Sequence, residues 1–348
     1  MYFGWHLPYK FVELSQAQQI IDCFFPNGKV ADIQTNNEGL INQTFIVCVQ
    51  LASTSRWVLQ SINTQVFQQY EQGLKNILKV KGWLEDSNFE HGFPTPVQDK
   101  YVEYAGEVWR LFPFMEESSC FQTVQSQEQA FEAAQCLGSF YKSLNGMPAD
   151  ELHITLPNFH NGTLRLQQLA AAVKNAKEER IQQTQILVEA IQQEQEVLIQ
   201  FDLLNKELPQ RVVHFDTKIS NFLFEQNTNK VKAIIDLDTL MPGTVLSDIG
   251  DMIRTYSNRL GEESKEIAQV SADQEIIANI INGFTSTAVL SEKEKAYLNF
   301  AGQALSLMQC VRFLTDYLNN DAYYHTTYPA HNWLRAQNQW ALYRSLKG

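Results

Sequence analysis

The sequence predicts an α+β protein with a small β-rich lobe, followed by a larger, mainly helical lobe that contains a small β insert. Three observations lead to this prediction. Residues 29–62 alternate branched or aromatic side chains with polar ones, as β-strands do. Residues 126–146 and 163–206 are rich in Ala, Leu, Gln, Glu and Lys with helical apolar spacing. Between helical stretches the strand pattern returns once, over residues 211–236.

In the first lobe, the polar break "ASTS" within residues 29–62 predicts antiparallel hairpins. Residues 64–85 repeat apolar side chains every three or four positions, which predicts an amphipathic helix. Two further strands are expected near residues 93–104 and 107–115. We therefore place the lobe boundary after Met115, with residues 1–115 in the first lobe and 116–348 in the second.

In the second lobe, residues 163–206 predict two long helices. The segment "RVVHFDTKISNFLF" predicts a strand, a polar loop and a second strand, and the turn "NTNK" predicts a hairpin that returns "VKAIID" alongside "NFLF". Helices are expected again from about Ser247 to the C-terminus.

Composition excludes several classes of protein. The 348 residues carry a formal net charge of −12, which disfavours binding to nucleic acid. The five cysteines are scattered without a C-x-x-C pair, as in reduced cytosolic proteins. No secretory signal and no apolar run of membrane-spanning length is evident. We expect a cytoplasmic protein, and no membrane, nucleic-acid or protein partner is implied.

The stretch "HFDTKISN" concentrates polar residues between two predicted strands. The hairpin should bring Asp236 and Asp238 close to Asn221, and such hard oxygen ligands suit Mg²⁺. Asp216 could accept a proton from a hydroxyl group, and Lys218 could neutralise a phosphoryl group during transfer. This division of roles is typical of phosphoryl transfer, in which positioning and charge compensation dominate.

The segments "HFDTKISNFLF" and "AIIDLDTLMPGTVLSDIGDMIRT" resemble the catalytic and metal-binding segments of the aminoglycoside phosphotransferase and choline kinase superfamily. With "VRFLTDYLNNDAYY" they look most like N-acetylhexosamine 1-kinases, and the resemblance extends from residue 39 to the C-terminal helices. It implies a protein-kinase-like bilobal fold, with ATP and Mg²⁺ as cofactors and a sugar hydroxyl as acceptor. The anomeric hydroxyl of an N-acetylhexosamine is the expected target.

The resemblance also implies a role for each residue of the two loops. Asp216 matches the catalytic base, Asn221 a metal-binding asparagine and Asp236 the aspartate that holds Mg²⁺ at the phosphates. Asp238 is a candidate second or water-mediated metal contact. Two further residues are expected to support the catalytic loop without taking part in the chemistry, namely His214 and Asp248.

The nucleotide contacts depart from the kinase pattern. The phosphate-covering hairpin "EGLINQTF" has a single glycine, Gly39, so Asn42 and Thr44 are candidates for donating hydrogen bonds to phosphate. Gln60 stands where the fold usually carries a lysine on its third strand, which leaves Glu71 of the following helix without its usual ion-pair partner. The adenine is expected at the hinge between the lobes, near Phe114 and Met115.

The acceptor is expected to bind to the helical lobe. Residues 297–348 hold ten aromatic residues, and four basic against two acidic residues, which suits a neutral sugar better than a polycation. Arg312, Asp316 and Tyr323 are the candidate acceptor contacts, and the first two share one helix face at i and i+4.

Several alternatives stay open at this point. The acceptor could be another small alcohol, such as choline, homoserine, an aminoglycoside or a different sugar. Gln60 and the glycine-poor hairpin also fit a catalytically silent relative that binds a nucleotide or a sugar. A metal hydrolase built on the same carboxylates is a third reading, but the chain lacks His ligands at a suitable spacing.

Overall fold

The computed structural model describes residues 12–36 and 41–348, and it has the predicted bilobal, protein-kinase-like architecture. The N-terminal lobe is a five-stranded antiparallel sheet with the strand order β1-β2-β3-β5-β4. Its strands are Lys29–Asn36 (β1), Gln43–Gln50 (β2), Thr54–Ile62 (β3), Val102–Tyr104 (β4) and Glu107–Pro113 (β5). The helices Leu14–Asp22 (α1) and Tyr70–Asp86 (α2) accompany the sheet.

The two faces of this sheet differ in chemistry because successive side chains of a strand point to opposite sides. One face buries Phe45, Leu59 and Leu111 in a cluster that includes apolar residues of α1. On the other face, Thr44 is opposite Gln60 and Gln60 is opposite Arg110, in register across β2, β3 and β5. This polar row lies on the side of the sheet that contacts the second lobe.

The expected strand over residues 93–104 is shorter than predicted, since only Val102–Tyr104 pairs with β5. The preceding Val97–Asp99 forms a short 3₁₀ turn in which Gln98 has a φ of 59°. The Gln98 side chain donates to the backbone carbonyl of Phe24, so a contact with the chain after α1 fixes this turn.

Nine helices are described in the C-terminal lobe, and residues 163–206 form three of them rather than the expected two. They are Gln127–Ser143 (α3), Gly162–Asn175 (α4), Glu178–Gln193 (α5), Gln195–Glu207 (α6), Val245–Ser257 (α7), Gln274–Thr287 (α8), Glu292–Ala296 (α9), Leu298–Leu318 (α10) and His331–Lys347 (α11).

The unpredicted break between α5 and α6 has a tertiary cause. Glu194 ends α5 and begins α6. Its carboxylate accepts hydrogen bonds from Tyr343 and Lys347 of α11. The local apolar spacing cannot reveal a contact with a helix almost 150 residues away. The sequence pattern therefore predicts one continuous helix where the structure has α5 and α6.

The β insert consists of two small sheets. Ser118–Ser119 (β6), Phe222–Glu225 (β8) and Val231–Ile234 (β9) form one, and Arg211–Val213 (β7) pairs with Met241–Gly243 (β10) in the other. The hairpin of β8 and β9 is the predicted one, so it returns the chain from Asn221 to Asp236. Both polar loops therefore leave the same small β structure.

The helical lobe encloses the larger core, in which α10 is buried along most of its length. Over the two described stretches of the chain, no helix is both long and apolar enough to cross a membrane. None of the five cysteines, all of which lie among the described residues, forms a disulfide bond.

Candidate active site

The loop between β7 and β8 carries Asp216, whose carboxylate is oriented by two donors. Lys218 Nζ and Asn221 Nδ2 each lie 3.0 Å from Asp216 Oδ2. Burial alone would raise the pKa of Asp216, but the charge of Lys218 and the hydrogen bonds from Lys218 and Asn221 outweigh it and lower the pKa below its ordinary value. Asp216 is therefore ionised at neutral pH.

Asp248, in the first turn of α7, determines the conformation of this loop. Its two carboxylate oxygens accept hydrogen bonds from the backbone N–H groups of His214 (3.0 Å) and Phe215 (2.6 Å) and from the hydroxyl of Tyr141 (2.9 Å). These bonds maintain Phe215 at a φ of 67°, a left-handed conformation that costs a non-glycine residue free energy. Because Asp248 is buried, its pKa is raised to about 6.

His214 connects the catalytic loop to the segment after β9. Its Nε2 lies 3.0 Å from the carbonyl oxygen of Ile235, and its Nδ1 faces the backbone N–H of Asp216 at 3.3 Å. A neutral ring with its proton on Nε2 satisfies both contacts. His214 is almost fully buried, and the supporting role that the sequence suggests for it stays a prediction.

Asp236 follows β9 with a φ of 61°, and the backbone N–H of Ile235 donates to the carbonyl of Asn221 at 2.9 Å, which keeps the two loops adjacent. The Asp236 pKa is raised, because the surrounding protein desolvates the carboxyl and the charges of Asp238 and Asp216 oppose its ionisation. Bound Mg²⁺ would relieve that repulsion.

The donor set fits a magnesium ion that is shared with a nucleotide. Asn221 uses its amide nitrogen on Asp216, so the amide oxygen is left as a ligand. The Asp236 side chain, although neighbouring protein atoms partly desolvate its carboxyl, still has a surface open to solvent where an ion could bind. Within residues 12–36 and 41–348, no three His, Cys, Asp or Glu side chains converge as a complete cation site. Mg²⁺ usually takes one or two protein oxygens and completes its shell with phosphate and water.

Asp238, expected as a second metal contact, is engaged elsewhere. Both of its oxygens form an ion pair with the guanidinium of Arg110, and Arg110 Nη2 lies 2.7 Å from Asp238 Oδ2. The side-chain amide of Asn42 donates to the same oxygen at 2.7 Å. Because both of its oxygens are already engaged by Arg110 and Asn42, we do not include Asp238 among the proposed metal ligands.

The expected nucleotide contacts fall into three groups. Gln60 donates to Thr44 Oγ1 and accepts from Arg110 Nε, each at 3.0 Å. The two expected nucleotide contacts Gln60 and Thr44 therefore belong to the polar row of the sheet. Phe114 lies under the guanidinium of Arg56, 4.1 Å from its ring centre, and the Met115 carbonyl accepts from Ser118. Gly39 lies outside the described residues.

Two of the expected acceptor contacts, Asp316 and Arg312, differ in what they bind within the protein. Asp316 is buried, and it accepts hydrogen bonds from the backbone N–H groups of Tyr323 (2.7 Å) and Tyr324 (2.8 Å) and from the Asn332 side chain (2.9 Å). These bonds fix the chain after α10, so Asp316 is not available to an acceptor. Arg312 is not paired with Asp316 but lies over the rings of Tyr324 and Phe159.

Sequence reasoning missed a group of residues around Arg312. His160 packs against Phe215, the neighbour of Asp216, at a ring distance of 5.3 Å. Burial lowers the pKa of His160 well below its ordinary value, and the positive charges of three arginines lower it further; these are Arg312, Arg165 and Arg254. No motif marks His160 in the sequence, because its position depends on packing against the catalytic loop.

Asp251 is a second missed residue. One of its oxygens pairs with Arg254, at 2.9 Å from Nη2, and the other is buried without a hydrogen-bond partner among the described residues. The charges of Asp216 and Asp251 act on each other, which places Asp251 near the catalytic loop. Its position in "SDIGDMIR", one helical turn after Asp248, was the available signal.

Together, the β-rich lobe, the Asp216 loop and the Asp236 loop beside it define a kinase-like phosphotransferase. The sequence model of the phosphotransferase enzyme family matches residues 32–270, well over half of the chain. The chain therefore belongs to that family, and it is an enzyme that transfers a phosphoryl group to an alcohol-type acceptor.

Solved structures support the fold at low sequence identity. The chain is similar to a microcompartment-associated aminopropanol kinase (13% identity, TM-score 0.60, 94% of this chain and 95% of that chain). It is also similar to a spectinomycin phosphotransferase in complex with ADP and spectinomycin (12%, 0.58, 94% and 98%). A third match is choline kinase LicA from Streptococcus pneumoniae (10%, 0.56, 96% and 98%).

Proposed function

We propose that this protein transfers the γ-phosphoryl group of ATP to the anomeric hydroxyl of an N-acetylhexosamine such as N-acetylglucosamine or N-acetylgalactosamine. The observation that carries the transfer step is the Asp216 carboxylate, which Lys218 and Asn221 orient and which Asp248 supports through the loop backbone. The sugar as acceptor rests on the sequence resemblance and on the charge around Arg312.

In the proposed reaction, Asp216 accepts a hydrogen bond from the attacking hydroxyl and takes its proton as the new O–P bond forms. The bond between the γ-phosphorus and the β–γ bridging oxygen breaks, and ADP leaves with that electron pair. Lys218 lies beside Asp216 and offsets negative charge on the phosphoryl group in transit.

Asn221 and Asp236 would hold the magnesium ion. The ion, when bound, neutralises charge on the β- and γ-phosphates. Asn221 has a second role, because its amide nitrogen also donates to Asp216 and so couples the metal position to the base. Spectinomycin phosphotransferase, which shares the fold, binds ADP, and this supports a nucleotide site in the present chain.

The charge near the catalytic loop favours a neutral acceptor. Arg312 lies over two aromatic rings and its positive charge acts on His160 beside the catalytic loop, whereas Arg254 is paired with Asp251. A polycationic aminoglycoside or a quaternary ammonium group would be repelled there, since like charges at short range cost free energy. A sugar can stack on aromatic rings and donate hydroxyl protons to the buried oxygen of Asp251. Tyr323, which is partly exposed and packs on Tyr324, is the other proposed contact.

The test is ADP production with Mg²⁺-ATP over a panel of N-acetylhexosamines, other sugars, choline, aminopropanol and aminoglycosides. We expect turnover with an N-acetylhexosamine and a product whose phosphorus NMR signal couples to the anomeric proton. Asp216→Asn should lower kcat by about 10³-fold or more with unchanged thermal stability. Turnover with choline or an aminoglycoside alone would contradict the sugar assignment.

The same assay also tests the effect of Gln60, which stands where the resemblance implies a lysine. Nucleotide binding without ADP production on any acceptor of the panel would contradict the proposed transfer reaction. Nearly unchanged turnover by Asp216→Asn would instead refute the proposed role of the loop.

A further inference from the structure

We propose that Arg110 and Asp238 form an inter-lobe ion pair that positions the metal-binding loop, in place of the lysine–glutamate pair missing from the N-terminal lobe. The inference rests on the proposed function, since it assumes that a nucleotide binds between the lobes. Arg110 lies on β5 of the N-terminal sheet, and Asp238 lies two residues after Asp236. Neither residue would contact the reacting atoms, so both are positioning residues.

The ion pair of Arg110 and Asp238 is buried and has a two-point contact, which restricts its geometry. Arg110 and Asp238 side chains are 3% and 8% exposed, and the guanidinium binds both oxygens of the carboxylate. Bidentate arginine–carboxylate pairs restrict geometry as well as supplying attraction. Desolvation opposes the Arg110 charge, yet the charge of Asp238 dominates and raises the arginine pKa above its ordinary value. Arg110 therefore stays ionised at neutral pH.

Around the pair, the N-terminal sheet supplies further contacts to the same loop. Asn42, just before β2, donates to Asp238 and accepts from the backbone N–H of Asn63 after β3. Gln60 accepts from Arg110 and so connects the pair to Thr44. The position that lacks a lysine thus contacts an arginine on the adjacent strand, and the positive charge reaches the loop from β5 instead of β3.

On the other side, the C-terminal lobe holds the same segment. Thr239 donates its hydroxyl proton to the carbonyl of His214, and His214 contacts the carbonyl of Ile235. Asp236, between these contacts, has a left-handed backbone that the surrounding structure must maintain. Arg110 and Asn42 therefore hold this segment from the N-terminal lobe, while the catalytic loop holds it from the other side.

Helix α2 also lacks its usual kinase connection. Glu71, in its first turn, is exposed. Instead, the buried side chain of Asn76 donates to the carbonyl oxygens of Leu240 and His153 and accepts from the backbone N–H of His153. The sheet and the helix thus reach the segment after β9 through Arg110 and Asn76, and neither contact uses the glutamate.

The consequence for binding follows from population arithmetic. If the ion pair keeps the Asp236 loop in its binding arrangement, its loss lowers the fraction of molecules able to bind Mg²⁺-nucleotide, and the apparent Kd rises by the inverse of that fraction. A competent population of about one in ten would raise Kd about tenfold. The acceptor site, which lies in the C-terminal lobe around Arg312, should keep its KM.

The experiment compares Arg110→Met, Arg110→Lys and Asp238→Asn with the wild-type protein, using calorimetric titration with ADP and Mg²⁺. The first and third substitutions change the local charge in opposite directions. A simple charge effect would weaken nucleotide binding in Arg110→Met and strengthen it in Asp238→Asn. Positioning predicts that Kd rises about tenfold in both and less in Arg110→Lys, which keeps the charge but not the two-point contact.

The matched control is Arg211→Met, which breaks a second buried ion pair within the C-terminal lobe; there Arg211 and Glu294 side chains are 16% and 0% exposed. This control should lower the unfolding temperature but leave the nucleotide Kd within about twofold of wild type. Should Arg110→Met fail to fold, the isosteric Asp238→Asn decides the question.

A nucleotide Kd that is unchanged or lower in Asp238→Asn would overturn the inference. So would an equal rise of Kd in Arg211→Met, because the effect would then be a general loss of stability. A wild-type protein that binds no Mg²⁺-ADP would overturn the proposed function itself. These failures are distinguishable because the wild-type titration comes first and needs no acceptor.

Discussion

At the scale of the residue, Asp251 allows a direct test of acceptor binding, because one of its oxygens is buried and unpartnered among the described residues. A buried acceptor of this kind costs free energy until a donor reaches it. If the sugar supplies that donor, Asp251→Asn should raise the acceptor KM by about 10-fold to 100-fold, the effect of losing a hydrogen bond to a charged group. Steady-state kinetics with varied acceptor measures this.

The internal control for Asp251→Asn is the nucleotide Kd, which should stay unchanged because the Asp251 carboxylate pairs with Arg254 and forms no hydrogen bond with Asn221 or Asp236. A variant with wild-type acceptor KM would show that this oxygen binds only water or Arg254 in the working enzyme.

Asp248 allows a test of pH dependence. Burial raises its pKa to about 6 in the folded protein, against about 3.9 in an unfolded chain. A carboxyl that binds its proton more tightly when folded stabilises the fold below pH ~4, and that contribution is lost as the pH rises through about 6. Asp248→Asn removes this titration and also disturbs the donors from His214, Phe215 and Tyr141.

We therefore expect Asp248→Asn to be less stable than wild type at every pH. The deficit in the free energy of unfolding should narrow by on the order of 2 kcal/mol between pH 4.5 and pH 7. Urea denaturation at several pH values measures it. A deficit that is constant or that widens toward pH 7 would show that Asp248 is ionised throughout.

At the scale of the element, the close packing of α7 on α10 depends on glycine. A Cβ added at Gly302 would lie 2.3 Å from Ile253 Cγ2, and one at Gly250 would lie 2.6 Å from the carbonyl oxygen of Ala301. Because α7 also carries Asp248, a shift of α7 would displace the catalytic loop. Gly302→Ala should lower the free energy of unfolding by about 1–3 kcal/mol through overpacking and should reduce kcat.

The control is Gly82→Ala in α2, where an added Cβ meets nothing within 4 Å. There the higher helix propensity of alanine should leave stability equal or raise it by up to about 1 kcal/mol. Thermal unfolding of the two variants side by side separates the effects, and equal melting temperatures would contradict the packing argument.

The elements also show what sequence can and cannot predict. The hairpin of β8 and β9 and the polar loop before it were predictable, because the apolar runs, the turn "NTNK" and the clustered polar residues are all local. The pairing of Arg110 with Asp238 joins residues 128 positions apart, and the break at Glu194 depends on α11. Asp316, which looked like an acceptor ligand, is occupied by the backbone seven and eight residues later, because the chain folds back after α10 and helical spacing does not reveal that turn.

At the scale of the whole molecule, the proposed site lies where the two lobes meet, so ligand binding should stabilise both together. A ligand that binds only the folded protein adds about 2.7 kcal/mol at a concentration 100 times its Kd. We expect ADP with Mg²⁺ to raise the unfolding temperature by several degrees, on the order of 2–4 °C per kcal/mol for larger domains. Differential scanning calorimetry with increasing ligand measures the shift.

The metal is tested in the same experiment. With EDTA in excess over Mg²⁺, the shift produced by ADP should fall by more than half, because Asp236 carries a negative charge that would otherwise repel the phosphates. The Asp236→Asn variant should bind ADP with little dependence on Mg²⁺. The substitution removes the negative charge that would hold the ion, and with it the repulsion between Asp236 and the phosphates. A shift in the wild-type protein that is the same with EDTA as with Mg²⁺ would show that the nucleotide binds without the ion, and Asn221 and Asp236 would then need another role.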